Sequence, residues 1–226
     1  MRLPGVLASL LVGAVPLGLL TSSSQTTEFS NGTPIRIPGV SSSLDPGPAK
    51  PYPSVIDVSG VSGPVKKVRV TLSGLGHREV KEVEVLLVGP APASKKVILM
   101  AYISQTSHAE LKGATYTFDD AAPAKLPKSA DPPTSGTFKP TSYRNHVQDP
   151  KFVAPAPKPP YDSQLASFNG TESNGVWKLY VMDTLGSYEG EISGGWKLEI
   201  NGTGGGGPPA GPLCNGRKAT ITGKSA

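Results

Sequence analysis

The segment NGVWKLYVMDTLGSYEGEISGGWKLEI, from Asn174 to Ile200, constrains the fold more than any other part of the chain. Trp177, Leu179 and Val181 alternate with Val176, Lys178 and Tyr180, and Trp196, Leu198 and Ile200 alternate with Lys197 and Glu199. A period of two marks a half-buried β-strand, because successive side chains point to opposite faces. Gly186, Gly190, Gly194 and Gly195 lie between the two runs and supply the backbone freedom that turns and bulges require. The spacing predicts a hairpin that turns Trp177, Leu179, Trp196 and Leu198 into an apolar core.

The 226 residues include 27 Gly and 24 Pro, placed mostly between short Val, Ile and Leu runs. Such punctuation marks turns and is hostile to helices, and no amphipathic helix is read after residue 30. Strand-like runs follow one another instead: SVIDV from Ser54, VKKVRVTL from Val65, VEVLLVG from Val83, KVILMAYI from Lys96 and ATYTF from Ala114. This order predicts an all-β fold of antiparallel sheets packed as a sandwich or jelly roll. Parallel pairing would ordinarily need helical crossovers. From Asp119 to Tyr161 the chain is Pro-rich and irregular, and is expected to drape over a sheet edge, anchored by Phe138, Tyr143, Phe152 and Tyr161.

The chain divides into a signal peptide at 1–24, a loop-rich lead with a first strand at 25–53, the sandwich at 54–201 and a Gly/Pro-rich flexible tail at 202–226. Arg2, the apolar run Leu3 to Leu20 and the polar Thr21 to Ser24 follow the secretory pattern. The run is short for a span and holds Pro4 and Pro16, so no stable membrane insertion is expected and the mature chain is expected outside the cell. Cys214 is the single cysteine, so a secreted fold must rest on its core without an internal disulfide. The formal charge is +5, but Lys50, Lys66, Lys81, Lys112, Lys139 and Lys178 are dispersed, and no nucleic-acid partner is expected.

A serine protease needs a nucleophile, a base and an orienting acid, each in its own local context, and the subtilisin-type contexts are absent from the sequence. His77, His108 and His146 read as surface or turn histidines. Glu82, Glu84, Glu189 and Glu191 read as solvent-facing strand and turn carboxylates, so no catalytic residue is assigned. Asn31, Asn169 and Asn201 each open an Asn-Gly-Thr triplet, which is both a glycosylation acceptor and a turn signal.

Taken in order, VSGVSGPVKKVRVTLSGLGH at Val58 to His77, VEVLLVGP at Val83 to Pro90, YTFDDAA at Tyr116 to Ala122, SGTFKP at Ser135 to Pro140, NGVWKLYVMD and GGWKLEI resemble the P domain, or Homo B domain. That domain follows the catalytic domain of kexin and furin-like subtilisin proteases and recurs in bacterial extracellular proteins. The resemblance covers roughly Phe29 to Asn201. It implies a jelly-roll β-sandwich of about eight strands and a non-catalytic role in adhesion, substrate engagement or stabilisation of a neighbouring protease or surface-protein domain. In some members it also implies bound calcium.

Calcium wants several oxygen ligands from loops, and Asp119, Asp120 and Asp183 at strand ends are the candidates. The same residues serve equally as turn caps that bond the backbone. The chain departs from the family after His77, where REVKEVEV replaces the usual Pro and Asp residues. PLCNGRKATITG in the tail is similar to the lead-in to calcium-binding nonapeptide repeats, although no such repeat follows, as in a truncated gene product. Two further functions stay open: an accessory fragment of a subtilisin-like endopeptidase whose catalytic domain lies elsewhere, and a carbohydrate-binding sandwich using Tyr180 or Tyr188 to stack on an extracellular glycan.

Overall fold

A computed structural model describes residues 24–38, 46–104, 109–128, 131–144, 152–186, 188–205, 213–214 and 217–218. The expected signal peptide, His108 and His146 lie outside the described residues, except that Ser24 opens the first strand. Among the described residues the fold is all-β, with two sheets facing each other across a core and no α-helix.

The first sheet holds β1 (Ser24–Asn31), β2 (Ile35–Ile37), β5 (Val65–His77), β8 (Leu111–Phe118), β9 (Ser135–Phe138), β12 (Gly190–Ile192) and β13 (Trp196–Gly205). The second holds β3 (Gly47–Pro48), β4 (Ser54–Val58), β6 (Val83–Val88), β7 (Lys96–Ala101), β10 (Thr141–Ser142) and β11 (Gly175–Asp183). The lead therefore contributes strands to both sheets, with β1 paired along β13 from Asn31 opposite Trp196 to Ser24 opposite Gly205. A small ribbon of β14 (Leu213–Cys214) and β15 (Arg217–Lys218) forms within the segment expected to be a flexible tail.

β5 is the spine of the first sheet. It pairs with β8 on one side and with β13 and β12, laid end to end, on the other. Val68, Val70 and Leu72 are buried in turn, as alternation demands. At Ser73 and Gly74 the register shifts: Ser193 and Gly194 donate to the Gly74 and Ser73 carbonyls, and Ser73 donates to Gly195. Gly74 has φ of 74° and faces the Ser193 hydroxyl, so a side chain there would meet both a steric block and a left-handed backbone. Beyond this bulge Leu75 and His77 face inward.

The predicted hairpin is not formed. β11 pairs with β3, β4 and β6 in the second sheet, whereas β13 pairs with β1 and β5 in the first. Alternation dictates which face of a strand is apolar but not which strand it pairs with, and here the connection crosses from one sheet to the other. Trp177 and Trp196 thus enter one core from opposite sheets, 0% and 1% exposed, with Leu179 and Leu198 fully buried beside them. Each indole removes roughly 200 Å² from water, worth about 5 kcal/mol at ~25 cal/mol per Å². Their N–H groups are satisfied as well: Trp196 Nε1 donates to Ser54 Oγ and Trp177 Nε1 to the Ser173 carbonyl, both at 3.0 Å.

Antiparallel pairing dominates; among the described strands β9 lies parallel to β8 and β10 parallel to β7. Where it is described, the β8 to β9 connection is irregular chain, and the pair lies at the open side of β8, so the crossover need not pack against a sheet face. The Pro-rich excursion covers the outer face of the second sheet and not only an edge. There Tyr52, Phe152, Ala156 and Tyr161 pack on Leu86, Val88, Ile98, Ala101 and Tyr180. The hydroxyls of Tyr52, Tyr180 and Tyr161 donate to the carbonyls of Val153, Pro155 and Pro157. β6 is consequently buried on both faces, which explains its near-continuous apolar run.

Candidate functional site: a buried histidine and carboxylate cluster

Three strand ends meet at one end of the sandwich. His77 closes β5, Glu82 ends a 3-10 turn at Val80–Glu82 that leads into β6, and Asp183 closes β11 opposite Val83. Ligand atoms of His77, Glu82 and Asp183 all lie within 4.8 Å of one another, and the three residues and Glu84 are at most 2% exposed. Expectations of a surface histidine and solvent-facing Glu82 and Glu84 are corrected here: the bulge at Gly74 turns His77 inward, Glu84 lies on β6, which is covered on both faces, and Glu82 is buried in the 3-10 turn before it. Gly190 is part of this arrangement, because a methyl group on it would run into the Gly76 carbonyl oxygen and the His77 ring.

The hydrogen bonds dictate what the cluster can do. The Glu79 backbone N–H donates to His77 Nδ1 at 3.0 Å, so the neutral ring carries its proton on Nε2. That nitrogen lies 3.5 Å from Asp183 Oδ2, both side chains being fully buried. Asp183 Oδ1 accepts from the N–H groups of Leu185 and Gly186, at 3.0 and 2.8 Å. Glu84 receives Arg144 Nε at 2.6 Å; Arg144 also donates to Thr184 Oγ1 and lies over the Tyr102 ring at 4.9 Å. Thr184 donates through both N–H and hydroxyl to the Glu82 carbonyl.

A general base needs a free lone pair within reach of its substrate. His77 has none: Nδ1 is taken by the backbone, Nε2 carries the proton of the neutral ring 3.5 Å from Asp183 Oδ2 without a hydrogen bond between them, and the ring is sealed from solvent. Metal ligation by Nε2 meets the same obstacle, because a ligating histidine donates through its other nitrogen whereas Nδ1 here accepts. What the geometry does is bring the end of β5 of one sheet against the ends of β6 and β11 of the other at a cluster of buried polar groups.

The other candidate ligands lie at the opposite end of β5. Lys67 and His77 are roughly 30 Å apart along the strand at ~3.3 Å per residue. Asp119 Oδ2 receives Lys67 Nζ at 2.9 Å and faces Arg69 Nε at 3.0 Å, while Oδ1 accepts from the Ala121 N–H. Burial pushes the Asp119 carboxyl up, but the hydrogen bonds from Lys67 and Ala121 and the charges of Lys67 and Arg69 outweigh it and hold the group below the usual carboxylate range. Asp120 accepts from the N–H groups of Leu165 and Ala166, at 2.9 and 2.7 Å, and so caps the 3-10 turn Leu165–Phe168. Calcium takes six to eight oxygens. With their carboxylates already engaged by cations and backbone N–H groups, and Asp183 at the far end, these residues do not fit it.

Beside Asp120 lies a pocket of about 340 Å³, lined by Lys66, Ala121, Leu165, Asn169 and Asn201 among others. Sequence reasoning missed it, although Asn169 and Asn201 had been singled out by their Asn-Gly-Thr triplets. Tyr180, expected as an exposed stacking platform, is 3% exposed beneath the Pro-rich strap, and Tyr188 carries the Arg78 guanidinium over its ring at 4.5 Å. Compared with protein-family models, curated proteins and solved structures, the chain finds no match.

Proposed function

We propose that this chain is a secreted, non-catalytic β-sandwich module of the P-domain kind, folded as a jelly roll, that engages or stabilises a neighbouring extracellular protease or surface-protein domain. The observation that carries the proposal is where the P-domain-like segments fall. They include β5, β6, β9, β11 and β13 and the end of β8, so the similarity runs through core-forming strands of both sheets. The blocked and buried His77 supports a structural role for the most suggestive histidine of the chain. The apolar run at Leu3 to Leu20 supports export, and the fold needs no calcium to satisfy Asp119 or Asp120. A peptidase assay of the purified chain tests the proposal: no hydrolysis of protein or peptide substrates is expected, and hydrolysis abolished by a single substitution in the chain would overturn it.

A further inference from the structure

Three polar side chains around the pocket at the start of β5 are uncommitted. Among the described residues, no hydrogen bond or ion pair engages the Lys66 ammonium or the carboxamides of Asn169 and Asn201, which all line it. Of the acids beside them, Asp119 is paired with Lys67 and Arg69 and accepts from Ala121, and both oxygens of Asp120 accept backbone N–H groups of the 3-10 turn it caps. The free chemistry of the pocket is therefore one cation and two groups that each donate and accept. Ala121 and Ala166 add exposed methyl groups, with Val68 and Leu165 buried in the core behind them.

We infer that this pocket binds an acidic sugar, the uronate unit of an extracellular glycan. The ammonium selects a carboxylate, and each carboxamide matches a hydroxyl, which likewise donates and accepts. The Ala121 and Ala166 methyl groups suit the C–H face of a sugar ring. A volume of about 340 Å³ accommodates one or two such rings and lies at the small end of ligand sites. An extended peptide fits less well, since it would need a free strand edge, and the Val65 N–H and carbonyl are already bonded to Thr171 and Gly170. The sugar site does not depend on the P-domain-like reading, because it rests only on the groups that line the pocket.

Isothermal calorimetry with trigalacturonic acid, a neutral galactose trimer and acetate as separate titrants tests the site. Binding is expected for the acidic trimer alone, weakened at least tenfold by Lys66→Ala and several-fold by Asn169→Ala. Both substitutions are at exposed positions and should leave the melting temperature unchanged, and Lys112→Ala serves as a charge control. Absence of binding at millimolar acidic trimer would overturn the proposal. So would equal binding of acetate or the neutral trimer, or acidic-trimer binding that survives Lys66→Ala or is weakened as much by Lys112→Ala.

Discussion

The indole N–H of Trp196, on β13, donates to the hydroxyl of Ser54, on β4, and so joins the two sheets through their shared core at 3.0 Å. Two different losses are expected on cutting this link. Trp196→Ala should destabilise by about 3 to 5 kcal/mol through lost transfer energy and the cavity left behind. Ser54→Ala keeps the packing but leaves a buried N–H unpaired, and should cost about 1 to 3 kcal/mol. Urea unfolding measures both, and a Trp196→Ala midpoint equal to that of the wild type would refute the core assignment.

The two tryptophans also show how much of the fold is legible in the sequence. Alternation around Trp177 and Trp196 correctly marks both as inward, because a period of two depends only on strand geometry. It is silent on pairing, which depends on where the connection leads, and so a crossing between sheets looks the same as a hairpin. His77 is a subtler case. Val68, Val70 and Leu72 mark one face of β5, and after Gly74 the pattern restarts one residue out of phase at Leu75, which carries His77 inward. That phase change is visible in the sequence only to a reader who treats Gly74 as a bulge. The pocket was not legible at all, since Lys66, Asn169 and Asn201 come from three separate segments and share no local pattern.

The close approach of Gly190 to the His77 ring makes a sharp prediction. Gly190→Ala forces a methyl group against the ring and the Gly76 carbonyl, and should cost about 1 to 3 kcal/mol as an overpacking change. The His77 imidazole resonances should move in the same variant. Wild-type stability with unmoved resonances would contradict the packing described for the cluster.

Acid should weaken the fold partly through Asp119. Its carboxyl is held below the usual range when folded, so its contribution is present above the unfolded value near pH 4 and is lost as the pH falls below that. Urea midpoints taken from about pH 6 down to about pH 2 should fall more steeply for the wild type than for Asp119→Asn. Parallel profiles would remove Asp119 from the acid sensitivity.

Calcium should leave the melting temperature where chelator leaves it. A site loaded to a hundredfold over its dissociation constant would add about 2.7 kcal/mol, which at this chain length raises the melting temperature by roughly 5 to 10 °C. Thermal melts in millimolar calcium and in EDTA measure the difference. A rise of that size would show that Asp119, Asp120 or Asp183 rearranges around a cation.

The most direct test of the module's proposed role is the thermal inactivation half-life of a subtilisin-like catalytic domain, measured with and without residues 24–205 of this chain joined to it. A stabilising module predicts a several-fold longer half-life in its presence, lost again when Trp196→Ala loosens the sandwich. An identical half-life with and without the module, together with no association between the two domains, would contradict the account.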